Sequence, residues 1–475
     1  MSNKTNENCS RRNFLAQTSA MSVGLTLGSR FLTPLLSAQD VQNIPSQALD
    51  LIGSIADKEI QAGLESAILK NLFPAAVEIC YPGHFMISPD GSSYGTDETW
   101  PGLDSWQMSG AYLKLGKGRM VRDYFNFIRA SQRKDGNIPF AIFKGETQPG
   151  GYLHGLKSPD DIFTYSPPIR EGLPDSSRET RSWIGLFHHW GPKNPLGMLG
   201  PVCYILTAAE IYDDDHSQAW LQEYMPSIEA TAKYMLEMKD ENGLIGGAGF
   251  YTELPSRYAW DGVTQCYAIH AFREQSRLHG ALGETEKQAT WAAHANSLAE
   301  NFIENFWRDD HFGEYVHPTH GLVDSHGLSD VNWASVAFDV AKEQHLEVLW
   351  PRLMNEPNFW RGDMPTQSVS EPFAYDKWEY EDNFSVHIPN LLQDVAAMGR
   401  VWYLEATACK RMKEYDRLKE SIRKVYRAMS PDGYWCERYH PTPDGGVIQV
   451  GAKKYCEYAA VLTRIVLDNL PVFRK

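Results

Sequence analysis

From residue 104 the chain alternates long blocks in which apolar residues recur at helical spacing with short stops of Gly, Asp and Pro. Leu103–Leu115 and Arg119–Arg133 form the first pair of predicted helices, joined at Gly116-Lys117-Gly118. In the second, Met120, Tyr124, Phe127 and Ile128 fall on one face. The pair ends at Lys134-Asp135-Gly136-Asn137-Ile138-Pro139, where Gly and Pro stop a helix. The pattern repeats as Leu199–Ile211 with Gln218–Met238, Thr264–Leu278 with Thr285–Phe306, Asp330–Ala341 with Leu346–Leu353, and Leu391–Met412 with Tyr415–Met429. Asp213-Asp214-Asp215 reads as a helix-joining turn and N-cap.

Two helices are left over, near Ala48–Leu72 and Tyr455–Leu467, and pairing them across the termini makes a sixth hairpin. The expected fold class is all-α: an (α/α)6 toroid of six helical hairpins, with short strands only in loops such as Gly433-Tyr434-Trp435-Cys436. An open solenoid would show a fixed repeat period, which these hairpins lack. The segments 134–196, 240–262, 308–329, 354–390 and 430–452 would then gather at one end, where sites are usually built.

Residues 1–38 read as a twin-arginine export signal. Arg11 and Arg12 precede a weakly apolar stretch, Ala16 to Leu36, with small residues at Ser37-Ala38. Gly24, Gly28, Arg30 and Pro34 argue against a membrane anchor there, and no other stretch is apolar for long enough to span a bilayer. The expected organisation is a signal over 1–38 and one toroid over 39–475, exported to the periplasm or beyond. Such substrates fold in the reducing cytoplasm. Cys80, Cys203, Cys266, Cys409, Cys436 and Cys456 are therefore expected as buried thiols, with Cys436 and Cys456 the nearest pair for a bridge.

Net charge is -15, from 45 basic and 60 acidic residues. That balance, with no Lys/Arg run, excludes nucleic acid and anionic membranes as natural partners. The 14 Trp and 23 Tyr offer flat faces with a polar edge, suited to stacking on sugar rings.

Two carboxylates stand out by context. Glu253 lies in Gly249-Phe250-Tyr251-Thr252-Glu253-Leu254-Pro255, with Tyr258, Trp260 and Asp261 close behind. Glu437 lies in Gly433-Tyr434-Trp435-Cys436-Glu437-Arg438-Tyr439-His440-Pro441. Burial among aromatics raises a carboxyl pKa, as a catalytic acid requires. Glycosidic hydrolysis needs two carboxyl groups, one protonating the leaving oxygen and one activating water or attacking the anomeric carbon.

Thr99-Trp100-Pro101-Gly102-Leu103-Asp104-Ser105-Trp106, followed by a helix and Lys134-Asp135-Gly136-Asn137-Ile138-Pro139, resembles the first hairpin of six-hairpin glycosidases (glycoside hydrolase families 15, 63 and 78). Tyr251-Thr252-Glu253 with Trp260-Asp261-Gly262 is similar to the place of that family's general acid. Glu437-Arg438-Tyr439-His440-Pro441, leading into an aromatic-bearing last helix, looks like the stretch bearing its general base.

The resemblance implies Glu437 as base and Glu253 as acid, with Asp261 as the competing acid. It places Trp100, Asp104, Trp106 and Asp261 around the innermost sugar. Trp183, His188, His189, Trp190, Lys193 and Asn194 precede the third helix, at a position that would face the mouth. Trp260, Trp333 and Tyr439 complete the candidate substrate contacts; Trp360, Arg361, Trp378 and Glu379 lie in a later loop. The expected partner is a carbohydrate, and no cofactor is expected. His317, His320, Asp324 and His326 lack metal-ligand spacing and read as a surface loop.

Two rival functions use the same toroid. A polysaccharide lyase would cast Tyr251, Tyr258, His188 and His189 as its Tyr/His pair, although an acidic chain is a poor partner for a uronate polymer. A non-catalytic sugar-binding toroid is the other.

Overall fold

The computed structural model describes residues 46–78, 81–92, 99–139, 141–144, 186–189, 197–247, 249–252, 255–364, 366–381 and 394–475. Twelve helices among them alternate between an outer and an inner position. The outer ones are α1 (Lys58–Ser66), α3 (Gly118–Ala130), α5 (Gln218–Glu237), α7 (Thr285–Phe306), α9 (Glu343–Asn355) and α11 (Tyr415–Arg427). The inner ones are α2 (Leu103–Lys114), α4 (Leu199–Asp215), α6 (Gly262–Ala281), α8 (Asp330–Ala337), α10 (Gly399–Met412) and α12 (Glu457–Asp468). Each inner helix packs against the next, and α12 packs back against α2, so the ring closes. This is an (α/α)6 toroid.

The amino-acid pattern explains which helix goes where. Outer α11 buries only Leu418, Ser421, Ile422 and Val425, a single stripe at i, i+3, i+4, i+7. Inner α4 is buried from Leu199 through Ala209, because it is covered by the outer ring on one side and by the axis on the other. The closing hairpin joins the two ends of the chain. The α1 helix packs on α11 and α12. Ser66 Oγ and Asn71 Nδ2 both donate to Gly433 O at 2.9 Å.

Links of two to five residues join inner to outer helices in five pairs, and the antiparallel Ile55–Arg474 bridge brings the end of α12 to the start of α1 in the sixth, so each pair is antiparallel. All six inner helices therefore start at one end of the toroid, and the long connections collect there. They carry three small antiparallel sheets: β1 (Ala141–Lys144) with β2 (Leu186–His189), β3 (Trp260–Asp261) with β4 (Tyr315–His317) and β5 (Gly321–Val323), and β6 (Arg438–Pro441) with β7 (Val447–Val450).

Four boundaries depart furthest from the sequence pattern. The expected helix over 48–72 breaks, because Asp57 leaves the helical path to accept from Glu59 N and Ile60 N and so caps α1. The helix expected from Leu391, a residue outside the described ones, begins only at Gly399, since Ala397 exchanges backbone hydrogen bonds with Tyr439 at 3.0 Å instead of winding into a helix. Asp213–Asp215 stay inside α4, and Ser217 caps α5 through Trp220 N. Asp213 pairs with Arg277, while Asp214 and Asp215 pair with Arg122. The α8 helix ends at Ala337, just before Asp339 turns to a φ of +57°.

Candidate active site

The six inner helix N-termini face the long connections, and their dipoles favour negative charge there. Three of these helices carry a carboxylate in the first turn: Asp104 on α2, Asp330 on α8 and Glu457 on α12. Asp261 caps a fourth, α6. The α10 helix instead opens on Gly399-Arg400, which supplies a cation to the ring. These groups sort into two neighbouring clusters.

The first surrounds Arg400. Its Nη2 donates to Asp104 Oδ1 at 2.9 Å and its Nε to Glu457 Oε1 at 2.8 Å. Glu457 is buried, and its Oε2 has no hydrogen-bond partner among the described residues. Burial pushes the Glu457 carboxyl up to about 8; Arg400 opposes that shift, and the nearby Asp104 and Glu437 charges add to it.

Glu437 is also buried, in the turn before β6. Its Oε2 accepts from Ala452 N at 3.1 Å and its Oε1 faces Arg438 Nη2 at 2.9 Å. Arg438 in turn reaches Asp394 at 3.2 Å. The seat depends on Gly451, where φ is +81° and a Cβ would lie 2.4 Å from Glu437 Oε2.

The second cluster surrounds Arg257, which is fully buried. The guanidinium meets Glu314 at 2.7 Å, Asp330 at 2.9 Å and Asp261 at 3.2 Å. Asp330 also accepts from the Tyr251 hydroxyl at 2.6 Å, and the Tyr251 ring lies 5.9 Å from the Arg400 guanidinium, which links the clusters. Tyr375 donates to Glu314 at 2.6 Å, and His326 sits between Glu314 and Glu379.

Burial pushes His326 down and Glu314 up, but their mutual attraction wins, helped by Arg257 and Glu379. His326 stands at about 9 and Glu314 at about 2. Burial carries Asp330 up to about 6 against the pull of Arg257.

Asp261 is fully committed. Its Oδ2 accepts from Thr264 N at 2.7 Å and Thr264 Oγ1 at 2.8 Å, while Oδ1 faces Arg257. Trp106 lies deeper, on the toroid axis. It donates to Glu210 at 2.9 Å, lies under the Arg464 guanidinium at 4.7 Å, and meets Tyr267 and Tyr403 edge-on.

Trp260 is half-buried on β3, and Trp100 is half-buried beside the bridge between Thr99 and Ile142. Tyr439 is buried; its hydroxyl accepts from Cys436 N at 3.0 Å, bracing the Glu437 turn from below. Trp333 does not join the mouth. It is buried between α8 and α9, edge-on to Trp350 at 6.0 Å. His189 ends β2 opposite Ala141. Glu253, Trp183 and Trp190 lie outside the described residues, as do the export signal and Cys80.

The remaining five cysteines are buried free thiols, so Cys436 and Cys456 form no bridge. His326, read from sequence as part of a surface loop, is buried.

The chain is structurally similar to solved glycosidases. A glycoside hydrolase family 78 rhamnosidase of Bacillus sp. GL1 superposes with a TM-score of 0.57 at 15% identity, over 88% of this chain and 35% of that one. The chain has the six-hairpin glycosidase fold. A rhamnosidase from Klebsiella oxytoca with rhamnose bound matches at 0.54 and 12% identity, over 86% of this chain and 64% of its own. A family 63 mannosylglycerate hydrolase from Thermus thermophilus in complex with glucose matches at 0.53 and 11% identity, over 89% of this chain and 99% of its own. This six-hairpin chain thus spans about a third and two thirds of the lengths of the two rhamnosidases. No protein-family model and no curated protein matches its sequence.

Sequence reasoning missed Arg400, Glu457, Arg257, Glu314 and Asp394. Two left a signal. Arg400 follows Ala396-Ala397-Met398-Gly399, and Glu457 interrupts Tyr455-Cys456 and Tyr458-Ala459-Ala460-Val461-Leu462. A charge inside an apolar run is a buried charge, and buried charges come paired.

Proposed function

We propose that the protein is an exported glycoside hydrolase that cleaves a glycosidic bond with inversion. Glu437 removes a proton from water, and the oxygen adds to the anomeric carbon. Glu253 gives its proton to the departing oxygen, which leaves as an alcohol. The observation that carries the reading is the seat of Glu437: a buried carboxylate at the mouth, held by Ala452 N and Arg438, beside Asp104, Arg400 and Glu457. A carboxylate oriented by donors at its oxygens is positioned to take a proton from water. Asp261 has both oxygens engaged, which favours Glu253 as the acid.

The excess of carboxylates at the mouth favours a neutral sugar over a uronate polymer, and the Tyr251 hydroxyl that a lyase would use is bonded to Asp330. The neighbouring structures suggest the first substrates to try. Nitrophenyl rhamnosides, glucosides and mannosides of both anomers, and oligosaccharides of these sugars, test the reading. Turnover of at least one, abolished in Glu437→Gln, is the expected result. Binding of a sugar with no turnover of any glycoside would favour the non-catalytic toroid, and release of an ultraviolet-absorbing unsaturated product the lyase. A fusion of residues 1–38 to a reporter protein tests export: secretion that stops when Arg11 and Arg12 become Lys is expected.

A further inference from the structure

Glu457 is a carboxyl group with one oxygen in use and one idle. Its Oε1 is taken by Arg400 Nε, while Oε2 is buried without a hydrogen-bond partner among the described residues. It begins α12 at the end of the toroid where Asp104, Arg400 and Glu437 sit. The α10 helix presses on it from the side, since a Cβ on Gly399 would lie 2.8 Å from Glu457 Cγ. Buried polar atoms are almost always satisfied, so an idle buried carboxyl oxygen at this end of the toroid needs an explanation.

Charge supplies one. Arg400 is shared between Asp104 and Glu457, and Glu437 is close by with Arg438, which Asp394 also claims. One guanidinium cannot neutralise both the buried Glu457 and the partly buried Asp104. The other titratable groups around Glu457 are the Tyr267, Tyr455 and Tyr458 hydroxyls, none of them cationic. The favourable state therefore carries a proton on one carboxyl, and Glu457 is the most deeply buried of the three, Asp104, Glu437 and Glu457. A neutral carboxyl with Oε1 held by a cation bears its hydrogen on Oε2, as an O–H donor.

We propose that Glu457 is a substrate-binding residue that stays protonated and donates a hydrogen bond from Oε2 to a hydroxyl oxygen of the neutral sugar bound beside Glu437. The assignment rests on the hydrolase reading for the location of the sugar, and it adds a specificity contact to that site. A donor at this point selects a ring with a hydroxyl in reach, and the flanking Asp104 and Glu437 charges disfavour a carboxylate there.

The test compares Glu457→Gln, which keeps a donor of the same shape, with Glu457→Met, which keeps volume and removes it. KM for the best nitrophenyl glycoside is expected to stay within about threefold in E457Q and to rise about tenfold or more in E457M, with kcat changed far less. In the wild type KM is expected to rise as pH climbs past 8, and in E457Q to stay flat. Infrared difference spectra of the full chain at pH 7 should show a protonated-carboxyl band that is missing from E457Q. Equal KM in the two variants, or no such band, overturns the inference. Calorimetry with rhamnose, glucose and mannose separates the two ideas. If no glycoside is turned over but sugar affinity falls in E457M and not in E457Q, the hydrolase reading fails and this inference stands. If E457M binds as the wild type does, or no sugar binds, the inference falls.

Discussion

Arg400 and Asp104 stand 2.9 Å apart although 296 residues separate them in the chain. The contact joins the first inner helix to the fifth across the mouth, and Arg400 continues to Glu457 on the sixth. One buried guanidinium thus holds three inner helices in register at the end where the chemistry is proposed. Arg400→Met leaves the partly buried Asp104 carboxylate and the buried Glu457 carboxyl without their cation. The expected loss of stability is about 3–5 kcal/mol by urea unfolding. Arg400→Met with Asp104→Asn should recover part of it, because the charge that Arg400 neutralised is gone.

The His326–Glu314 pair gives stability a defined pH dependence. His326 stands at about 9 in the folded chain, above the ordinary value of 6.5, so between those pH values the folded state binds more protons than the unfolded state. Its contribution is full below 6.5 and is lost as pH rises through 9. Glu314 is held at about 2, below its ordinary 4.5, so its contribution is full above 4.5 and is lost as pH falls through 2. Thermal unfolding from pH 2 to 10 should show a plateau with both shoulders. In His326→Gln the alkaline loss is expected to shrink, leaving the part due to Glu457 at about 8, while the acid shoulder survives, reduced.

Asp261 and Glu253 compete for the role of acid, and the two are separable. Asp261→Asn keeps acceptance from Thr264 and the cap of α6, at the cost of the Arg257 ion pair. It is expected to lower thermal stability yet keep kcat on an activated nitrophenyl glycoside within about tenfold. Glu253→Gln is expected to cost about 10²–10⁴-fold on natural glycosides and much less on nitrophenyl ones, whose leaving group needs little protonation. The reverse pattern would move the acid to Asp261.

The fold was legible where each helix answers to its own residues. The outer helix Thr285–Phe306 matches its sequence pattern end to end, and α11 differs only in its last turn, because one apolar stripe and one polar face mark an outer helix completely. The pattern failed at 394–398, where an Ala-Ala-Met stretch suited to a helix is held out of it by Tyr439, a partner some forty residues away. Site reading had the same limit. Glu437 announces itself through its aromatic and Pro neighbours. Trp333 carries the same kind of local signal and is core, since only the ring closure decides which face of α8 looks at the axis. Arg257 and Glu314 have no local signature at all: what makes them a site is pairing over tens of residues.

The most direct test of the account is the turnover of Glu437→Gln on the best glycoside of the panel, followed by NMR of the first-formed sugar anomer in the wild type. The account predicts a fall in kcat of about 10³-fold or more with KM within several-fold, and a wild-type product of inverted configuration. A Glu437→Gln enzyme within about tenfold of the wild type would contradict it.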